Sequence, residues 1–208
     1  VGGIYFATTR YLGALAFGKG VQVFNTDGSV NGAEKVIVEQ AIPFDSSQDR
    51  YFRTVAQLEY IKIQRVLNNT SLDQKIRQEQ FQDAYQKAVA AARSAVELGK
   101  SDVNNYRVLA QVYELAIPID PNVADLALEN YDKARKLNPA DPSIFVDIAR
   151  TYLAVADVTV LRAGGSTSKQ IASGKRDKAI EMLNEAVKLK SDYTEAHFTL
   201  SQLYVAQG

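Results

Sequence analysis

The sequence lacks cysteine and tryptophan and carries one histidine, His197, and one methionine, Met182. Without cysteine there are no disulfides and no thiolate chemistry, and redox usage says nothing of compartment. A lone histidine cannot build a multi-histidine metal site. Charge of one sign is missing too: 24 basic residues balance 24 acidic ones. The halves differ little, with 12 basic and 10 acidic groups in 1–100 and 12 and 14 in 101–208. Nucleic-acid binding needs a basic field that this chain does not supply. No apolar run reaches the roughly 18 residues that span a bilayer. The apolar opening, VGGIYFATTRYLGALAFGKGVQVF, is interrupted by Arg10, Lys19 and five glycines, unlike a signal peptide. A first residue of valine, with no methionine before 182, predicts a processed chain or an excised piece.

What is present is helical periodicity. Leu126, Ala127, Tyr131, Ala134 and Leu137 fall three and four apart, one face of a helix. Asn138–Pro139 stops it, because proline cannot continue the ladder and restricts its predecessor. Asp141 then offers a capping oxygen with Pro142 at the tolerated first position. Ile144, Phe145, Ile148, Ala149, Tyr152 and Leu153 resume the period. Two helices so briefly joined are antiparallel neighbours.

The unit recurs. NYRVLAQVY (105–113), IFVDIARTY (144–152) and AHFTLSQLY (196–204) align, with Tyr106, Phe145 or His197 followed by an aliphatic, a small residue and a tyrosine. A second module aligns 127–139 with 179–191 and, less closely, with 88–100. Ala95, Ala134 and Ala186 sit at equivalent places. This pattern resembles the tetratricopeptide repeat (TPR), in which small residues let paired helices approach while large ones fill the gap. The resemblance implies an all-α, right-handed α-solenoid of antiparallel helix pairs, a single domain over 1–208. It divides into a divergent first repeat (1–48), a lengthened second (49–100), a third (101–140), a fourth (141–191) with a polar loop at 163–174, and a capping helix (192–208).

Closing positions near Ser46, Lys100, Pro139 and Ser191 lie 54, 39 and 52 residues apart, against the usual 34. The second and fourth repeats therefore have lengthened helices: 49–69 with 71–98, and 142–162 with about 173–190. Extended ends need cover for Ile61, Ile63, Val66 and Leu67, and for Val155, Val158, Val160 and Leu161. They pack on each other as taller hairpins or make a contact with a second chain or a membrane surface.

Candidate chemistry is thin, and no enzyme, metal or cofactor is expected. Ser173–Gly174–Lys175 is no phosphate loop, since Lys169 stands for the first glycine and Arg176 for the hydroxyl. His197 holds the repeat's aromatic packing position and is expected in or near the core. Glu181 and Glu185 with Lys178 and Lys188 read as solvated helix decoration. Asp45 and Asp49 read as turn and cap residues.

The resemblance implies instead a concave groove lined by the first helix of each repeat. Carried over, it selects Arg50, Arg53, Gln57 and Tyr60, then Asn104, Arg107, Gln111 and Glu114, then Ser143, Val146, Arg150 and Leu153. Guanidinium and amide forks suit the carbonyls or carboxylates of an extended peptide or protein partner, with Arg53, Arg107 and Arg150 foremost. The lysine/asparagine set that clamps chaperone C-termini is not reproduced. The segment from RYLGALAFGKGVQVFN, through AEKVIVEQAIPFDSSQDRYFRTVAQLEYIKIQRVLNN, to the long alanine-rich helix is also similar to the soluble TPR tail of some bacterial O-antigen ligase or polymerase-like membrane proteins. That implies an accessory domain outside the cytoplasmic membrane; a free adaptor would be cytoplasmic. Self-assembly through the extended edge is a third reading.

Overall fold

The computed structural model describes residues 2–163 and 165–207. Among these every regular element is helical. The elements are α1 (Gly2–Asp27), α2 (Val30–Val36), a π-helical turn (Ile37–Ala41), α3 (Ile42–Phe44), α4 (Asp49–Asn68), α5 (Gln74–Leu98) and α6 (Val103–Glu114). Beyond them lie α7 (Val123–Leu137), α8 (Pro142–Ala163), α9 (Ser166–Leu189) and α10 (Thr194–Gln207). No helix among the described residues is long and apolar enough to cross a membrane. Where the sequence pattern implies one domain, the packing divides the chain into two compact units, Val1–Val112 and Tyr113–Gly208, the division falling within α6.

In the first unit α1 ends at Gly28, whose φ of +62° is the left-handed conformation that closes a helix without a Cβ clash. Ser29 caps α2, its Oγ accepting from the Gly32 N–H at 3.1 Å. Glycine also sets how closely α1 lies on the π turn and the Asp45 turn. A Cβ on Gly20 would stand 2.7 Å from Ile37 Cγ1, and one on Gly13 3.2 Å from Asp45 Cβ. The π turn has a cause in Pro43, which offers no N–H and crowds the carbonyl four residues back. Upstream of it the Ile42 N–H reaches the Ile37 carbonyl, one residue beyond an α bond.

α4 and α5 form the long hairpin of this unit. Tyr51, Val55, Ala56, Leu58 and Ile63 of α4 are buried, as are Phe81, Ala84, Ala88, Ala91, Ala92 and Ala95 of α5. Five alanines on one face let the axes approach, and each fully buried large side chain contributes about 1.5–3 kcal/mol. The extension is covered at Ile63, fully buried, while Leu67 nearer the tip is exposed.

Asn105 ties the next helix to this hairpin. Its Nδ2 donates to the Ala95 carbonyl (2.9 Å), the Gly99 carbonyl (3.0 Å) and Asp49 Oδ2 (2.8 Å). Its Oδ1 accepts from Arg53 (2.7 Å). Asp49, read as a cap, thus reaches α6, while Asp45 does hold its own turn through Ser47 and Gln48.

In the second unit the Asn138–Pro139 joint forms as the sequence requires. Asp141 Oδ1 accepts from the Ser143 N–H at 2.9 Å and from its hydroxyl at 2.6 Å, capping α8. The core gathers Phe145, Val146 and Ala149 of α8, Ala179, Leu183 and Ala186 of α9, and Ala196, Leu200 and Leu203 of α10. The lengthened end of α8 is covered within the unit: Val155 and Val158 pack with Ile117 and Ala124. Arg162 donates to the Pro118 and Ile119 carbonyls, both at 2.7 Å. The lengthened end of α8 thus takes cover from residues outside its own hairpin, and Leu161 remains 84% exposed.

Two expectations need correction. The loop expected over 163–174 is helix from Ser166 onward, and Gly164 lies outside the described residues. Ser168 and Ala172 are buried, so packing against α8 overrides the weak helical preference of this Ser- and Gly-rich stretch. Ser173, Gly174 and Lys175 are therefore mid-helix. His197, expected at a packing position, is exposed, its Nε2 2.8 Å from the Ser191 carbonyl. On α10 one face packs through Ala196, Leu200 and Leu203, and the other leaves His197, Phe198 and Tyr204 in solvent. The expected helix decoration does form in part: Lys188 pairs with Glu185, and Lys178, exposed, lies 5.5 Å over the Tyr152 ring.

Candidate functional site

The first unit holds a cavity of about 390 Å³. α1 contributes Gly20, Val21 and Phe24; α2 and the π turn contribute Ala33 and Ile37. α4 adds Thr54, Gln57, Leu58, Tyr60 and Ile61, and α6 adds Val108 and Gln111. The floor is apolar because glycine and alanine let aliphatic and aromatic side chains meet. The rim is polar but neutral: two glutamine amides, a threonine hydroxyl and a tyrosine hydroxyl. No lysine, arginine, aspartate or glutamate is among these lining residues.

Gln57, Tyr60 and Gln111, three of the residues chosen from sequence, meet at this cavity. They share its wall because 57 and 60 are three apart on one face of α4. Tyr60 Oη accepts from Gln64 at 3.3 Å, which orients the hydroxyl.

The arginines go elsewhere. Arg50 is exposed and stacks its guanidinium 5.4 Å from the Phe17 and Tyr51 ring centres, themselves stacked at 4.7 Å. Arg53 is engaged internally, at 2.5 Å from Asp102 and 3.8 Å from Asp49 besides its bond to Asn105. Burial opposes the Asp102 charge, but the Asn104 N–H and Arg53 outweigh it and hold its carboxyl below the ordinary value. Asn104 is exposed in the first turn of α6, its N–H on Asp102 Oδ1 at 2.8 Å; Arg107 is half-buried.

Arg150 belongs to the second unit, where it pairs with Asp147 and lies 3.9 Å from Glu114 and 4.0 Å from Glu195. Burial works against its charge, yet Glu114 and Asp147 hold it still more firmly protonated than usual. Three further residues chosen with it are not free to line a groove. Val146 is core, Leu153 packs on that core, and Glu114 lies beneath two hydroxyls, Thr151 Oγ1 at 2.5 Å and Tyr131 Oη at 3.1 Å. Ser143 is spent on the α8 cap.

Sequence reasoning missed the group behind the cavity wall. Lys62 Nζ bridges Glu59 Oε1 (2.7 Å) and Glu34 Oε2, tying α4 to α2. Glu59 is fully buried and its Oε2 has no protein partner as a carboxylate. Burial, then the hydrogen-bonded Glu34 carboxylate, pushes Glu59 up to about 7. Glu34 and Lys62 are 28 residues apart, and no short-range pattern announces such a tie.

No family model matches the chain, and no curated protein matches it in sequence. Solved structures do. A thermophilic TPR protein of Thermus thermophilus superposes with a TM-score of 0.51 at 11% identity, covering 93% of this chain and 99% of that one. YrrB, a TPR protein with an unusual peptide-binding site, gives a TM-score of 0.44 at 15% identity, covering 86% and 88%. The first likeness, with the helix pairs above, makes this an all-α TPR-like fold with lengthened second and fourth pairs.

Proposed function

We propose that this chain is a non-catalytic interaction scaffold that takes an extended peptide in the cavity of its first unit. The observation that carries this reading is an apolar floor beneath a neutral, hydrogen-bonding rim. A large apolar side chain of the partner enters between α1 and α4, while the Gln57 and Gln111 amides pair with its backbone, each able to donate and accept. Arg50, Asn104 and Arg107 lie on the same helices, and Arg53 contributes through its ion pairs, while Arg150 belongs to the second unit and is no part of this cavity. The test is a peptide-library selection on the intact chain, followed by calorimetry with the best binder. Gln57→Ala and Gln111→Ala should each weaken binding about tenfold, near 1.4 kcal/mol, with helicity unchanged. A binder indifferent to both would overturn this assignment.

A second reading is favoured by α1, 26 residues long and mostly apolar, which exposes Tyr11 and Leu15 by 64% and 53%. In it the chain is the extracytoplasmic TPR tail of an O-antigen ligase or polymerase-like membrane protein, and the glycosyl-transfer chemistry lies in another part of that protein. Membrane helices encoded upstream are expected; a soluble domain there removes the reading. Exposed Leu161 supports a third, self-association through the lengthened hairpins, which sedimentation of wild type against Leu161→Glu decides.

A further inference from the structure

The Glu34–Glu59–Lys62 group stands immediately behind two walls of the cavity. Glu34 comes directly after Ala33 on α2, and Ala33 and Ile37 line one wall. Glu59 sits between Leu58 and Tyr60 on α4, which line another. We propose that one proton shared between the Glu34 and Glu59 carboxyls latches α2 to α4, and that losing it releases α2 and loosens this wall of the binding cavity. The latch is independent of what the cavity holds; only its effect on binding rests on the peptide-scaffold reading.

Charge and geometry support it together. The charged groups facing Glu59 are Glu34 from α2, Lys62 from its own helix and Lys87 from α5; Glu39 of the π turn is exposed. Lys87 is itself paired with Asp83 at 2.7 Å. With the proton present, Glu34, Glu59 and Lys62 sum to zero, and only one carboxylate stands beside the shared Lys62 ammonium. Without it, a second carboxylate is buried beside the first, one oxygen left with no donor, an arrangement the interior penalises strongly. α2 runs through the π turn into α3 as one short helical stretch, 30–44, whose length is marginal in water without packing.

The sign comes from the raised folded value. Glu59 binds its proton more tightly folded than unfolded, so its stabilisation is whole below the ordinary carboxylate range. It is lost as pH rises through about 7. Above that point the opening equilibrium rises up to about tenfold per pH unit.

The experiment uses the intact chain without any peptide. Carbon-13 carboxyl shifts tracked from about pH 3 to about pH 9 should place the Glu59 midpoint near 7; a midpoint in the ordinary carboxylate range overturns the latch. Hydrogen exchange at the Ala33 and Ile37 amides, corrected for intrinsic rates, should lose about tenfold or more protection between about pH 6 and about pH 8.5. Glu59→Gln, whose amide can give Glu34 its hydrogen bond at any pH, should hold that protection constant. An equal loss in both proteins overturns the proposal. If the variant does not fold, the carboxyl titration of the wild type decides. Failure of peptide binding would leave these readouts untouched, so the two proposals fail separately.

Discussion

Each unit draws a glutamate out of solvent, Glu59 fully and Glu114 partly, and the two are treated differently. Glu114 in the second unit receives a hydroxyl on each oxygen, from Thr151 and Tyr131, with Arg150 nearby. Glu59 in the first is held at one oxygen by an ammonium and is bare at the other. Neutral donors satisfy a buried acid without bringing in a second charge that must itself be desolvated. The first arrangement meets each carboxyl oxygen with a hydroxyl; the second leaves one oxygen unmet. In both cases burial raises the carboxyl, so both lose stabilisation as pH rises, and comparing wild type with Glu59→Gln isolates the Glu59 share.

The contrast can be tested in order of expected effect. The largest loss should come from Asn105→Ala in the first unit, which leaves the Ala95 and Gly99 carbonyls with backbone donors alone and takes one partner each from Asp49 and Arg53. Chemical denaturation should show a loss of about 2–4 kcal/mol. A loss below about 1 kcal/mol would mean that ion pairs, rather than this amide, join α6 to the long hairpin. Next, Ala149→Leu should overpack the fully buried contact of α8 with its neighbours at a cost of about 1–3 kcal/mol. An unchanged melting temperature would place the close helix approach elsewhere. Smallest, Thr151→Val keeps the shape but removes one donor from Glu114, at about 1–2 kcal/mol. No measurable change would show that Glu114 is not held by its hydroxyls, and the difference between the units would vanish.

Much of the helical architecture was legible because local chemistry wrote it. Pro139, Asp141 and Pro142 mark a stop and a start that the cap at Ser143 realises, and the alanine period on α5 and α9 names the faces that meet. Gln57, Tyr60 and Gln111 were reachable through the repeat spacing. The pairing of Arg53 was hidden for a physical reason: its partners Asp102 and Asn105 lie 49 and 52 residues away, and a charge looks open until the fold supplies its counter-charge. The cavity floor was hidden as well. Val21 and Phe24 sit on α1, where glycines blur the helical period, and the meaning of Gly20 appears only when Ile37 arrives against it. The start of α9 was masked by serine and glycine, whose local preference yields to packing.

The Asn105 amide joins positions 95, 99 and 49, the last 56 residues back along the chain. Such a junction cannot close until α4 and α5 already lie together, because its acceptors belong to both. The hairpin is thus expected to form first and the junction to seal it afterwards. Breaking it should therefore quicken unfolding and hardly slow folding, making this one side chain a governor of how long the native state endures rather than of how soon it is reached.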